Sequence, residues 1–165
     1  MRRYAITGPE SSGKTTLSQL LAEEFNGEWI PEFAREFLLE RKGIYTQKDL
    51  DLIAEGQKQL WENVSNHSLV FCDTEMIVMK VWSEFKFGSC SEKIQDFVKE
   101  QQFEHYFLCR PDIEWEEDPL REHPEQRDEL FEWYLRELKN YNLPFTIVEG
   151  SIIERLKICS ELINS

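Results

Sequence analysis

The sequence is poor in the residues that build disulfides and His/Cys metal sites, with four cysteines and three histidines among its 165 residues. No two cysteines form a C-x-x-C pair, and three of the four lie in apolar or periodic segments, where a thiol behaves as a small hydrophobe. We therefore expect the cysteines to be reduced. His67, His105 and His123 have no ligand-like spacing, which predicts no metal site of the His/Cys type.

Basic residues are also scarce, because 19 Lys and Arg stand against 32 Asp and Glu, a formal net charge of -13. The phosphate backbone of a nucleic acid would meet net repulsion, so we expect no nucleic-acid partner. A nucleotide can still bind, since loop amides, a helix N-terminus and a lysine create a local positive site within a negative surface.

Long apolar runs are missing as well. Gly8 and Lys14 interrupt the N-terminal segment, which lacks the apolar region of a signal peptide, and no stretch approaches the roughly 18 apolar residues of a membrane span. This predicts a cytoplasmic protein with no membrane partner. With 41% hydrophobic residues and no repeat or convincing linker, residues 1–165 are expected to form a single domain.

The most informative segment that is present is residues 8–15, which fit G-x-x-x-x-G-K-[ST] directly after a short strand-like run at residues 4–7. In such a P-loop, backbone N–H groups surround the phosphates of a nucleotide, the lysine reaches the β- and γ-phosphates, and the final hydroxyl binds Mg²⁺. We therefore predict ATP and Mg²⁺ as cofactors. The predicted nucleotide-binding residues are Gly8, Ser11, Ser12, Gly13, Lys14, Thr15 and Thr16, with Thr15 also a metal ligand.

Short apolar runs alternate with helical patterns along the whole chain, with strands expected at residues 4–7, 28–30, 69–72, 105–109 and 145–148. This alternation predicts an α/β fold of the P-loop NTPase type: a mostly parallel five-stranded sheet with helices on both faces. Ligands of such sheets lie at the carboxyl ends of the strands. Glu32, Asp73 and Arg110 each follow a strand and are candidates for that edge.

The two carboxylates among these candidates, Asp73 and Glu32, each admit an alternative interpretation. Asp73 is expected to bind Mg²⁺ directly or through water, although a residue at this position can instead cap the following helix. Glu32 and Arg35 lie about one helical turn apart, so both can face a pocket, where Glu32 would accept the proton of an attacking hydroxyl. A surface ion pair between them explains the same spacing.

Residues 110–127 are predicted to form a mobile lid, because prolines and charges are dense there. Arg110, Arg121 and Arg127 lie in or beside it, and lid closure can bring an arginine onto a transferring phosphoryl group. Three tryptophans in apolar helical patterns are expected in the core and not at a stacking platform: Trp61, Trp82 and Trp133.

Four segments together resemble one family, the ribosylnicotinamide kinase domain of NadR-type proteins. They are G-P-E-S-S-G-K-T-T-L from Gly8, P-E-F-A-R from Pro31, F-C-D-T-E from Phe71 and W-x-x-D-P-L-R from Trp115. The resemblance implies an enzyme of NAD biosynthesis that phosphorylates a small molecule, nicotinamide riboside, to nicotinamide mononucleotide with ATP. NadR-type proteins also carry an adenylyltransferase domain and often a DNA-binding domain, so these residues acting alone are expected to make only the mononucleotide.

Carried onto this sequence, the resemblance implies catalytic roles for Lys14, Asp73 and Arg121. It also implies that Trp115 and Asp118 contribute to substrate binding, beside Glu32 and Arg35. Two alternatives stay open: a kinase for another nucleoside or small alcohol, and a nucleotide-dependent binding or switch protein without turnover. The N-K-x-D motif of guanine-specific switches is absent, which disfavours the switch. The sequence predicts no oligomeric state.

Overall fold

The computed structural model describes residues 1–64 and 69–165, so His67 lies outside the described residues. Five strands form one sheet in which every pairing is parallel, in the order β2-β3-β1-β4-β5. The strands are β1 (Arg2–Thr7), β2 (Glu28–Ile30), β3 (Leu69–Asp73), β4 (His105–Cys109) and β5 (Phe145–Val148). The predicted sheet is thereby confirmed, and β1 lies at its centre.

Helices connect successive strands, as a parallel sheet requires. Within the described residues they are α1 (Lys14–Glu24), α2 (Phe33–Glu40), α3 (Gln47–Glu62), α4 (Met76–Phe87), α5 (Glu92–Glu100), α6 (Arg127–Asn140) and α7 (Ile152–Asn164). No helix among them is long and apolar enough to cross a bilayer.

The two faces of the sheet bury two separate cores, because successive side chains of a strand point to opposite faces. On β1, Tyr4 and Ile6 pack with residues of α1 and α7, such as Leu21 and Cys159. Ala5, between them, belongs to the larger core formed with α2 to α6. Helices therefore cover both faces, and α1 and α7 share one of them.

Two helices begin with capping boxes, and a third is capped by a residue other than Asp73. Ser151 and Glu154 form a capping box at α7, as do Thr46 and Asp49 at α3. Asp73 does not cap α4, because the side chain of Glu75 accepts the N–H of Ile77 instead. Asp73 therefore remains available at the end of β3.

The four cysteines are free thiols, and three of them, Cys72, Cys109 and Cys159, are buried. Burial raises the pKa of Cys109 to about 11 and that of Cys90 to about 11, so both stay protonated at neutral pH. These thiols serve as packing groups in the two cores.

Candidate functional site

A cavity of about 520 Å³ opens at the carboxyl ends of β1, β2 and β3, where doubly wound sheets bind ligands. The P-loop, the start of α2 and the segment between β4 and α6 all contribute to its wall. The residues that the sequence assigns to a functional site and that line this cavity are Gly8, Ser11, Ser12, Gly13, Lys14, Thr15, Thr16, Glu32, Arg35, Asp118 and Arg121. The structure thus brings most of the predicted site residues together.

The P-loop connects β1 to α1 with backbone that only glycine tolerates at its first position. Gly8 has φ 135°, and a Cβ there would lie 2.8 Å from the carbonyl oxygen of Cys109. Gly13 precedes α1 with φ 89° and provides no side-chain cap, so the first N–H groups of the helix stay free for an anion. Lys14 Nζ donates to the carbonyl oxygens of Gly8 and Pro9, each at 2.9 Å.

Thr15 and Asp73, the two residues predicted to bind a metal, lie side by side. The Thr15 hydroxyl donates to Asp73 Oδ2 at 2.5 Å, and Asp73 Oδ1 is buried without a hydrogen-bond partner. An orphaned carboxylate oxygen beside a hydroxyl and a phosphate site fits Mg²⁺, which usually takes one or two carboxylates and completes its shell with water and phosphate. No cluster of three or more His, Cys, Asp or Glu suited to a metal occurs in the described residues.

Glu32 stands at the start of α2 and faces the same cavity, without capping the helix. Burial, followed by the negative charge of Asp73, raises the pKa of Glu32 to about 7, although Lys14 opposes the shift. Burial likewise raises the pKa of Asp73, and Lys14 again opposes it. A carboxyl group with a pKa near neutrality suits proton transfer better than an ordinary surface glutamate.

Arg35 does not form the surface ion pair with Glu32 that the spacing also allowed. Its guanidinium lies 2.5 Å from the carboxylate of Asp118, on the segment between β4 and α6. This hydrogen-bonded pair holds the pKa of Asp118 below its usual range. The contact joins α2 to the predicted lid across the cavity.

The predicted lid, residues 110–127, rests on the P-loop through polar contacts. The Glu10 carboxylate accepts the backbone N–H groups of Glu122 and His123, at 3.2 and 3.1 Å. Ser11 accepts twice: its hydroxyl from the N–H of Glu116 at 2.9 Å, and its carbonyl from Arg127 Nη1 at 3.0 Å. Glu10 and Ser11 are variable positions of the motif, and here they contact the lid.

The three arginines assigned to the lid occupy different environments. Arg121 lines the cavity and donates to the carbonyl of Glu116. Arg110 does not line the cavity, since its Nε pairs with Glu149 at 2.6 Å. Arg127 is the first residue of α6, and its guanidinium donates to the carbonyl oxygens of Ser11 and Ile113. Of the three, Arg121 is placed best to meet a ligand.

Trp115 was assigned to substrate binding but does not belong to the cavity wall. Its ring lies under the guanidinium groups of Arg121 and Arg127, at 6.0 and 5.6 Å, and so packs within the predicted lid. Trp82 packs against the larger core, as expected, and it also lines the cavity. Its indole N–H donates to the hydroxyl of Tyr45 at 2.7 Å.

Part of the cavity wall is apolar and aromatic. The residues concerned are Leu38, Val78, Trp82, Phe85, Leu120, Leu130 and Tyr134. Flat aromatic walls of this kind stack on planar rings. The cavity therefore combines the P-loop, a carboxyl group with a raised pKa and an aromatic surface suited to a planar ring.

Sequence analysis missed two buried charged residues near the site. Glu75 is fully buried and accepts the Thr7 hydroxyl at 2.8 Å, which ties α4 to the end of β1. Arg155 is 1% exposed and hydrogen-bonds to the P-loop. A signal for Arg155 existed, because Arg155, Cys159 and Ile163 repeat at i, i+4 and i+8 on the buried face of α7.

Known proteins align with nearly the whole chain. The chain is 27% identical over 172 residues to the trifunctional NAD biosynthesis/regulator protein NadR of Escherichia coli K12, and 29% identical to that of Salmonella typhimurium LT2. Each alignment includes 99% of this chain and 42% of the relative, so the chain spans about two fifths of the length of these relatives.

Solved structures share the fold. A NadR protein in complex with NR matches 91% of this chain and 44% of its own with a TM-score of 0.75 at 20% identity. A deoxyadenosine kinase from M. mycoides matches 98% of both chains with a TM-score of 0.69 at 16% identity. The chain thus has the fold of P-loop nucleoside and nucleotide kinases. Residues 3–155 match the model of one sequence family, described as an AAA domain, and the chain belongs to that family, AAA_28.

Proposed function

We propose that the protein transfers the γ-phosphate of ATP to a hydroxyl of nicotinamide riboside and so makes nicotinamide mononucleotide. The observation that carries this proposal is a single cavity lined at once by the P-loop, by Glu32 and by aromatic side chains. The names of the relatives, which are NAD biosynthesis proteins, and the NR complex of the NadR structure support the choice of acceptor.

In this reaction the acceptor oxygen forms a bond to the γ-phosphorus, the bond from that phosphorus to the bridging oxygen breaks, and ADP leaves. The loop amides and Lys14 bind the phosphates and stabilise the charge that develops on them. Thr15 and Asp73 would hold Mg²⁺, which neutralises phosphate charge when bound. Glu32 accepts the proton of the attacking hydroxyl, and Arg121 contacts the transferring group from the lid.

The charge of the cavity supports a cationic acceptor. Among the described residues that line it, seven are acidic and three are Lys or Arg. The acidic residues are Glu10, Glu32, Glu114, Glu116, Glu117, Asp118 and Glu122. Nicotinamide riboside carries a permanent positive charge on its pyridinium ring, whereas uridine and thymidine are neutral. An acidic, partly enclosed wall attracts that cation and gives no such advantage to a neutral nucleoside.

An ADP-release assay across nucleosides tests this proposal. We expect nicotinamide riboside to be turned over with a kcat/KM at least ~10-fold above that of uridine or thymidine. Reduced nicotinamide riboside is the matched control, because it has nearly the same shape without the charge, and we expect it to react less well. A pyrimidine nucleoside that reacts best would refute the acceptor assignment, and ATP binding without turnover of any acceptor would refute the kinase.

A further inference from the structure

A buried arginine outside the G-x-x-x-x-G-K-[ST] motif contacts the P-loop from the side of α7. Arg155 lies on α7, more than 130 residues after the P-loop, and is 1% exposed. Its neighbours on the same helix face, Cys159 and Ile163, belong to the apolar core with α1. A charged group is rarely placed in such a position unless its hydrogen bonds are satisfied.

The guanidinium of Arg155 joins three segments that lie far apart in the sequence. Nη1 donates to the carbonyl of Ser12 in the P-loop. Nε donates to the carbonyl of Gly150 at 3.0 Å, and Nη2 donates to that of Arg110 at 2.8 Å. Nη2 also pairs with Asp112, two residues into the predicted lid. One side chain thus connects the nucleotide loop, the start of the lid and the turn before α7.

Asp112 completes this arrangement from the lid. Its second oxygen accepts the N–H of Gly150 at 2.7 Å. Burial alone would raise the pKa of Asp112, but the Gly150 N–H and the charge of Arg155 hold that pKa below its usual range. Asp112 is therefore ionised at neutral pH and balances the buried guanidinium.

The contact with Ser12 has a consequence for phosphate binding. In a trans peptide the C=O and the following N–H point in opposite directions. Because Arg155 holds the Ser12 carbonyl on the side of α7, the N–H of Gly13 points the other way, and Gly13 lines the cavity. A Cβ on Gly13 would lie only 3.3 Å from Arg155 Nη1, so the loop rests closely on the guanidinium.

We propose that Arg155 is a positioning residue of the nucleotide site: with Asp112, it sets the orientation of the Ser12–Gly13 peptide and attaches the start of the lid to the P-loop. Arginine is required because its planar fork reaches several acceptors at fixed angles, whereas a lysine ammonium is a single point charge. The inference rests on the nucleotide-binding part of the proposed function and is independent of the acceptor.

The test measures the Kd for ATP by calorimetry without any acceptor, in Arg155→Lys and Asp112→Asn, at a temperature where each variant is folded. Loss of the guanidinium in Arg155→Lys should weaken ATP binding by about 10-fold. Loss of the paired charge in Asp112→Asn should weaken it by less. The control is Lys80→Met, which removes the largely buried ion pairs of Lys80 with Glu84 and Glu137, away from the P-loop. It should lower Tm but leave the Kd for ATP within about 2-fold of wild type.

Steady-state kinetics separate positioning from a general loss of structure. We expect KM for ATP to rise in Arg155→Lys while KM for the acceptor stays unchanged. A Kd for ATP within about 2-fold of wild type in folded Arg155→Lys would overturn the inference, as would an equal loss in Lys80→Met. Failure of the wild-type chain to bind ATP would instead overturn the proposed function itself.

Discussion

The hydroxyl of Thr15 lies 2.5 Å from Oδ2 of Asp73, and this hydrogen bond joins the first turn of α1 to the end of β3. Parallel pairing of β1 with β3, with Ile6 opposite Asp73, brings Thr15 and Asp73 to the same edge of the sheet.

Thr74 follows Asp73 with φ 92°, a region that β-branched residues rarely adopt, so the chain turns sharply directly after the carboxylate. Such local strain is typical of functional sites.

Replacing Lys14 with alanine should abolish phosphoryl transfer and leave the fold intact. Within the described residues, the hydrogen bonds of the Lys14 ammonium go to two carbonyl oxygens of the loop, those of Gly8 and Pro9. Neither bond involves a core side chain. In the proposed reaction this ammonium stabilises the charge that develops on the phosphates, so we expect kcat to fall by more than ~10². The ADP-release assay, with circular dichroism as a check on folding, measures this. Normal turnover in the folded variant would refute the P-loop assignment.

Arg121→Ala should lower kcat far more than it raises the Kd for ATP, because an arginine on a closing lid acts mainly in the transition state. The matched control is Arg136→Ala. Arg136 also lies over a tryptophan ring, Trp133, at 5.7 Å, but it is exposed on α6 outside the cavity wall. We expect wild-type kcat in the control. A pure binding defect in Arg121→Ala would argue against a role in the transition state.

Glu32→Gln should lower kcat by about 10² while ATP binding is retained, since the amide keeps the shape but cannot accept the proton. Because the pKa of Glu32 is raised to about 7, the wild-type kcat/KM should increase as pH rises through that value and the base loses its proton. The variant should lack this dependence. A profile that is unchanged in Glu32→Gln would remove Glu32 from the mechanism.

The same substitution should stabilise the protein at about pH 8. The raised pKa means that the folded protein keeps the Glu32 proton at pH values where the unfolded chain has lost it. The stability that Glu32 contributes is therefore complete below its ordinary pKa and decreases as pH rises towards about 7. We expect the Tm of Glu32→Gln to exceed that of wild type at about pH 8 and the difference to vanish near pH 4. A constant difference across that range would contradict the raised pKa.

The P-loop, the alternation of strands and helices, and two capping boxes were predictable from the sequence, because each depends on residues within a few positions of one another. The placement of Glu32 and Asp73 at one edge was predictable too, since parallel strands end at a common edge.

Contacts between distant segments were decided only by the tertiary structure. Arg35 meets Asp118 from 83 positions away, and Arg155 meets Ser12 from 143 positions away. Neither pairing follows from local periodicity, because it depends on the strand order and on the face that each helix presents. For the same reason the sequence determined that a P-loop exists, while the fold determined that α7 contacts this loop through Arg155.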